Sequence, residues 1–184
     1  LALLGNTLST GAGLVVLILM FGTISGAHFN PVVSFVEALR GKMLPASAAM
    51  YALVQIAGAV LGVFLAHAMF DLHVLQASTK MRDGGGQIIS EAVATFGLIG
   101  TIMCTGRFRP DLTPVAVGLY ITSAYWFTAS TSFANPAVTI ARSLTDTFAG
   151  IAPASVAGFM AGQIAGALLA FPIFGWLIQE EQRS

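Results

Sequence analysis

Charge is what this sequence has least of. Only 9% of its 184 residues are Asp, Glu, Lys or Arg, against about 25% in a typical soluble domain. Too few polar side chains remain to coat a water-facing surface, which excludes an ordinary soluble globular protein. The eight basic and eight acidic residues cancel, so no nucleic-acid partner is expected. Cys104 is the only cysteine. An internal disulfide is therefore impossible and a thiol-based zinc cluster has no ligands; Cys104 reads as a small apolar side chain on a helix. No cofactor or metal and no enzymatic activity are expected. The opening LALLGNTLST has no basic region of the kind a cleavable signal peptide carries. It also has no initial Met, which leads us to expect missing upstream residues.

What the chain has instead is uncharged length. Hydrophobic residues make up 56% and the mean hydropathy is +0.83. Runs without Asp, Glu, Lys or Arg extend from Leu1 to Val36, Met43 to Phe70, Leu112 to Ala141 and Thr147 to Gln179. Each exceeds the roughly 20 residues that cross a hydrocarbon core about 30 Å thick. The class is an all-α, multi-pass membrane protein embedded in lipid. Breaks at Gly, Pro and charge place full spans near Leu3–Ile24, Ala46–Phe70, Gln87–Thr105, Thr113–Thr128 and Ala154–Leu177. Two apolar pieces are left over, Asn30–Leu39 and Asn135–Thr145. Ten helical residues rise only about 15 Å, so neither crosses alone.

The two halves repeat each other. QIAGAVLGVF from Gln55 is echoed by QIAGALLAF from Gln163, PAS at Pro45 by PAS at Pro153, and NPVVSF at Asn30 by NPAVTI at Asn135. Three words in one order make an internal repeat, with a first repeat over 1–75 and a second over 87–178 of one channel domain, 1–184. The second half has a span, Gln87–Thr105, that has no counterpart before Leu3. Three spans per half would invert one half against the other, so we expect a first helix to be missing from this chain. Arg40, Lys42, Arg107, Arg109 and Arg183 fall on one side of this topology and Lys80, Arg82 and Arg142 on the other, which makes the first side cytoplasmic.

Asparagine caps helix N-termini and proline is favoured as the first helical residue, so each Asn-Pro starts a helix in mid-membrane. Its positive dipole end then lies there, and the irregular backbone before it survives only beside protein or a watery cavity. Gly26, Ala27 and His28 in one loop and Thr131, Ser132 and Phe133 in the other would present carbonyls to that cavity, with Asn30 and Asn135 as donors. Two positive dipole ends oppose cations and protons. Small neutral solutes and water are the expected passengers.

SGAHFNPVVS (Ser25–Ser34) and SFANPAVT (Ser132–Thr139) closely resemble the paired motifs of the aquaporin and glycerol-facilitator family. The resemblance covers nearly the whole chain. It implies a right-handed bundle of inverted repeats with two re-entrant half-helices, a homotetramer with one pore per subunit, and a bacterial plasma-membrane location. The motif residues become Asn30, Pro31, Val32, Asn135, Pro136 and Ala137, with Val32 in place of the usual alanine. Glu91 matches a glutamate that supports the second loop, its counterpart belonging to the missing helix. The family's outer filter maps by distance onto Thr10, Ser123, Ser132 and Val138. Valine stands where relatives carry arginine, and bulky residues are gone, which implies a wide aquaglyceroporin-like filter for polyols such as glycerol. The pattern looks most like channels of bacterial arsenic-resistance operons, which implies passage of neutral As(OH)3. A water-selective aquaporin is the alternative.

Arg142 lies one turn past Val138 on the same helical face. It either reaches towards the filter or, as is the expectation, anchors the loop or pairs with Asp146. His28 is expected to serve a loop hydrogen bond, and His67 and His73 have no assigned role. GTISG, GAVLG, GFMAG and GQIAG are words for close helix approach. Two other classes stay in view. An intramembrane serine hydrolase would use Ser25 near His28, but the tight Gly-x-Ser-x-Gly elbow is absent. A coupled secondary transporter fits inverted repeats but has no intramembrane acid beyond Glu91 for ion coupling.

Overall fold

The structure is a computed structural model and describes residues 1–180; Arg183, counted above among the cytoplasmic cations, lies outside them. The described residues form seven α-helices: α1 (Ala2–Ser25), α2 (Pro31–Leu39), α3 (Pro45–Met69), α4 (Gly85–Phe108), α5 (Thr113–Phe127), α6 (Pro136–Arg142) and α7 (Pro153–Glu180), with a 3₁₀ turn at Pro110–Leu112. Helices α1, α3, α4 and α7 are long and apolar enough to cross a membrane. The fifth expected span, α5, has 15 residues, a rise of about 22 Å. Its length is set by Pro114 in its first turn and by Thr128, where the backbone turns extended.

Both short helices begin where an Asn caps them. Asn30 is extended at φ −153° and its side chain accepts a hydrogen bond from the Val32 N–H; Asn135, at φ −157°, accepts from Ala137 and Val138. Each satisfies N–H groups that a helix start leaves orphaned. The second half-helix, expected to reach Thr145, stops at Arg142. The Ser143 and Leu144 N–H groups bond the Ile140 and Ala141 carbonyls only three residues back, at 3.1 and 3.0 Å, which closes the helix in a tight last turn; the Arg142 and Ser143 carbonyls then accept from the Ile151 and Ser78 N–H groups at 3.2 and 2.9 Å.

Close packing follows the small-residue words, in part. A Cβ on Gly162 would sit 2.5 Å from the Ile88 carbonyl oxygen, and one on Gly166 would run into the Ala92 carbonyl, so α4 and α7 touch backbone to backbone. Gly11 and Gly118 do the same for α1 and α5. Gly22, Gly58 and Gly62 face open space, so GTISG and GAVLG make no close approach within this chain. The half-helices meet in the interior, α2 packing on α3 and α7 and α6 on α3 and α7. Val32, Val33 and Val36 of α2 are buried with Ile99, Met103 and Ala167.

Candidate functional site

The loops before the half-helices follow one backbone path. Ala27 and Ser132 have φ of 47° and 49°, and Phe29 and Ala134 have 49° and 47°. Left-handed φ at a residue with a Cβ costs about 1–3 kcal/mol and persists only where the surroundings enforce it. Ser25 Oγ accepts from the Ala27 N–H at 3.3 Å and Ser130 Oγ from the Ser132 N–H at 3.1 Å, the same contact in each half.

The asparagines tie the halves together. Asn30 Nδ2 donates to the Ala134 carbonyl at 2.7 Å and Asn135 Nδ2 to the Phe29 carbonyl at 2.9 Å. Each amide nitrogen carries two hydrogens, and this crossed pair uses one on each. Glu91, fully buried, holds the second loop. Its Oε1 accepts from Ser130 Oγ at 2.6 Å and the Phe133 N–H at 2.9 Å, and its Oε2 from the Ala134 N–H at 2.8 Å and Gln163 Nε2 at 2.6 Å. A carboxylate offers about four acceptor positions, and all are used.

Between the half-helices runs a cavity of about 370 Å³. Its walls are stripes at helical spacing: Thr10, Leu14 and Ile18 of α1, Leu98, Ile102 and Gly106 of α4, and Thr113, Val117, Ile121 and Tyr125 of α5. Asn30 and Asn135 line it together with Gly26, Ala27, His28 and Phe29. Val33 and Val138, each three residues past its Asn, also line it. Glu37, Arg40 and Lys42 lie at one mouth and Tyr125 and Arg142 at the other. Pro31, Val32, Pro136 and Ala137 shape the first turns but do not line the cavity.

Two residues expected at the pore are elsewhere. Ser123 is exposed on the outer face of α5 and donates to the Tyr120 carbonyl at 2.7 Å. Residues on a helix are 100° apart, so a position two before Tyr125 points nearly the opposite way. Tyr125, not Ser123, faces Thr10, Ser132 and Val138. Thr131 is turned from the cavity towards Arg82, whose Nη1 lies 3.4 Å from its hydroxyl.

By sequence Arg82 is one charge of a polar loop. It is buried, and it donates to the carbonyls of Gly150 at 2.8 Å, Ser130 at 3.1 Å and Phe148 at 3.3 Å. Burial, and then the neighbouring Arg142 charge, lower its pKa, though a guanidinium stays protonated in proteins. No sequence pattern marks this role. The expected Arg142–Asp146 pair is not formed: Asp146 Oδ1 accepts from the Thr79 N–H at 2.8 Å and its hydroxyl at 3.0 Å. Ser25 and His28 do not form a catalytic pair either. His28 Nδ1 bonds Ser34 Oγ at 3.0 Å, and Ser25 Oγ bonds the Phe21 carbonyl. His67 is buried between the Val74 carbonyl and Thr145 Oγ1, at 2.9 and 2.8 Å.

Half-helices meeting at crossed asparagines, around a lined passage in a helical membrane fold, define a pore-forming integral membrane protein. The family model for the major intrinsic protein matches residues 1–123, and the chain belongs to that family. It is 54% identical over 179 residues to aquaglyceroporin AqpS of Rhizobium meliloti (strain 1021), which covers 97% of this chain and 77% of that protein. It is 32% identical over 129 residues to the glycerol uptake facilitator protein of Streptococcus pneumoniae (strain ATCC BAA-255 / R6), covering 62% of this chain and 55% of that protein. A probable aquaporin, TIP2-2 of Oryza sativa subsp. japonica, is 29% identical over 118 residues, 60% of this chain and 47% of that protein.

Proposed function

We propose that the protein is a passive channel for small neutral solutes, of aquaglyceroporin type, passing glycerol-like polyols, As(OH)3 and water. The observation that carries this is Val138: it lines the passage with an apolar side chain of modest size, which leaves room for a solute larger than water. A neutral polyhydroxyl solute exchanges its hydration for the loop carbonyls and the free N–H of each asparagine, while its carbon or arsenic face slides along Val33, Val138 and the leucine and isoleucine stripes. The names of the relatives, an aquaglyceroporin and a glycerol facilitator, agree with that chemistry. We further propose the repeats 1–75 and 87–178, a homotetramer in the lipid of a bacterial plasma membrane, and filter roles for Thr10, Ser132 and Val138. Tyr125 favours a second reading, a water-selective pore, because its phenol occupies volume that a serine would leave open.

Proteoliposome swelling separates the two. Glycerol and As(OH)3 flux alongside water, with no proton or sodium gradient imposed, is the expected result, and Val138→Arg should cut the two larger solutes at least tenfold more than water. Water alone passing the unaltered channel supports the narrower reading. Glycerol flux unaffected by Val138→Arg removes Val138 as the element that sets the aperture.

A further inference from the structure

Resting on that channel reading, we propose that Arg142 is the fixed cation of the outer filter, so that aperture and charge are set by two different residues on one face of α6. Val138 and Arg142 are four residues apart, one helical turn, and both line the passage. Arg142 is the last residue of α6, where the negative end of the helix dipole favours a cation.

Its guanidinium is held in place from two sides. Nη2 donates to Tyr125 Oη at 3.0 Å, and the group lies 4.4 Å from the centre of the Phe133 ring. Tyr125 in turn donates to Asn6 Oδ1 at 3.1 Å, and Thr10 Oγ1 lies 3.3 Å from both. The chain of donors therefore spans α6, α5 and α1 across the mouth, with the positive charge polarising the phenol at its head. Ser132 adds an unpartnered, buried hydroxyl on the same passage.

No acid neutralises this charge among the described residues. Asp146 is occupied by Thr79, and the described ion pairs are Arg40–Glu37, Lys42–Glu37 and Arg109–Asp111. The matching place in the other half-helix is instructive. Glu37 is seven residues past Asn30 as Arg142 is past Asn135, and it lines the opposite mouth, where Arg40 and Lys42 pair with it. The outer mouth keeps an uncompensated cation, and a fixed positive charge at the entrance of a pore repels protons and metal cations. A valine filter can then be wide for neutral solutes without conducting ions.

The test is proton and sodium leak against glycerol flux, in proteoliposomes carrying the full chain as wild type, Arg142→Gln, Arg142→Met and Arg142→Lys. Gln keeps a donor for Tyr125 without the charge, Met removes both, and Lys keeps the charge. The expected result is that the ratio of ion leak to glycerol flux rises about tenfold in Gln and Met and returns to the wild-type value in Lys, as removal of a fixed charge from a pore requires. An Arg142→Gln channel as ion-tight as wild type overturns the proposal, as does a lysine variant that leaks like the glutamine one. If Arg142→Met fails to insert, the Gln and Lys pair alone decides. Absence of glycerol flux in the wild type counts against the channel reading instead, and is seen before any variant is compared.

Discussion

Replacing Glu91 by glutamine tests whether the carboxylate is what enforces the second loop. One oxygen becomes an amide nitrogen that can no longer accept. If it takes the Oε1 place, Ser130 can turn its hydroxyl to accept from it, but the Phe133 N–H is left without a partner. If it takes the Oε2 place, Gln163 can flip and present its otherwise unpartnered Oε1, but the Ala134 N–H is orphaned. Either way one buried backbone N–H is stranded, at about 1–3 kcal/mol. The other donors each exchange a charged acceptor for a neutral one, about 1 kcal/mol apiece. Two such donors remain in either arrangement, so a loss of about 3–5 kcal/mol follows, a large share of the stability of a typical protein. It falls on a loop that also stores strain at Thr131, Ser132 and Ala134, all with left-handed φ. The loop is expected to relax, carrying Asn135 off its bond to Phe29, with glycerol flux down at least tenfold. Thermal unfolding of the purified channel and stopped-flow swelling measure the two effects. A Glu91→Gln protein that unfolds within a degree of wild type and conducts normally would refute the reasoning.

Gly166→Ala drives a methyl into the Ala92 carbonyl and should cost about 1–3 kcal/mol as α4 and α7 separate. Gly58→Ala, whose added methyl meets nothing, should instead hold or gain up to about 1 kcal/mol from helix propensity; equal melting temperatures for the two variants would contradict the packing argument. Arg82→Lys gives up the guanidinium fork to Gly150, Ser130 and Phe148. The expected loss is about 3–5 kcal/mol, two charge-assisted bonds, read as faster hydrogen exchange over residues 143–151 with α4 unaffected.

The helices were legible because hydrocarbon imposes a simple rule. Uncharged runs of the right length must span, and Asn-Pro must start a helix, since the cap and the proline each favour that one position. The end of α6 was not legible. The chain just past it is held by Ser78, some 65 residues earlier, whose N–H takes the Ser143 carbonyl. The Arg142 partner was hidden for the same reason, because Thr79 on that distant loop claims Asp146 first. Ser123 is a different failure. Thr113, Val117, Ile121 and Tyr125 form an unbroken i, i+4 stripe in the sequence, and extending it would have selected Tyr125. Counting residues back from Asn135 ignored the extended segment after Thr128, across which helical phase is not carried.

The matched positions explain why duplication need not give a symmetric pore. Three residues past each Asn stands a valine that lines the passage, and the two amides cross to the opposite loop in the same way. Seven residues past, the halves diverge to Glu37 and Arg142, each at a mouth, where a charge is near water and tolerable. A charge at position three would lie deeper and would narrow the passage by its own bulk. Moving it one turn outward keeps its repulsion of cations, because the charge still lines the passage, while giving up its short-range steric effect, which vanishes within one turn. An arginine at Val138 could not separate those two properties; one at Arg142 can.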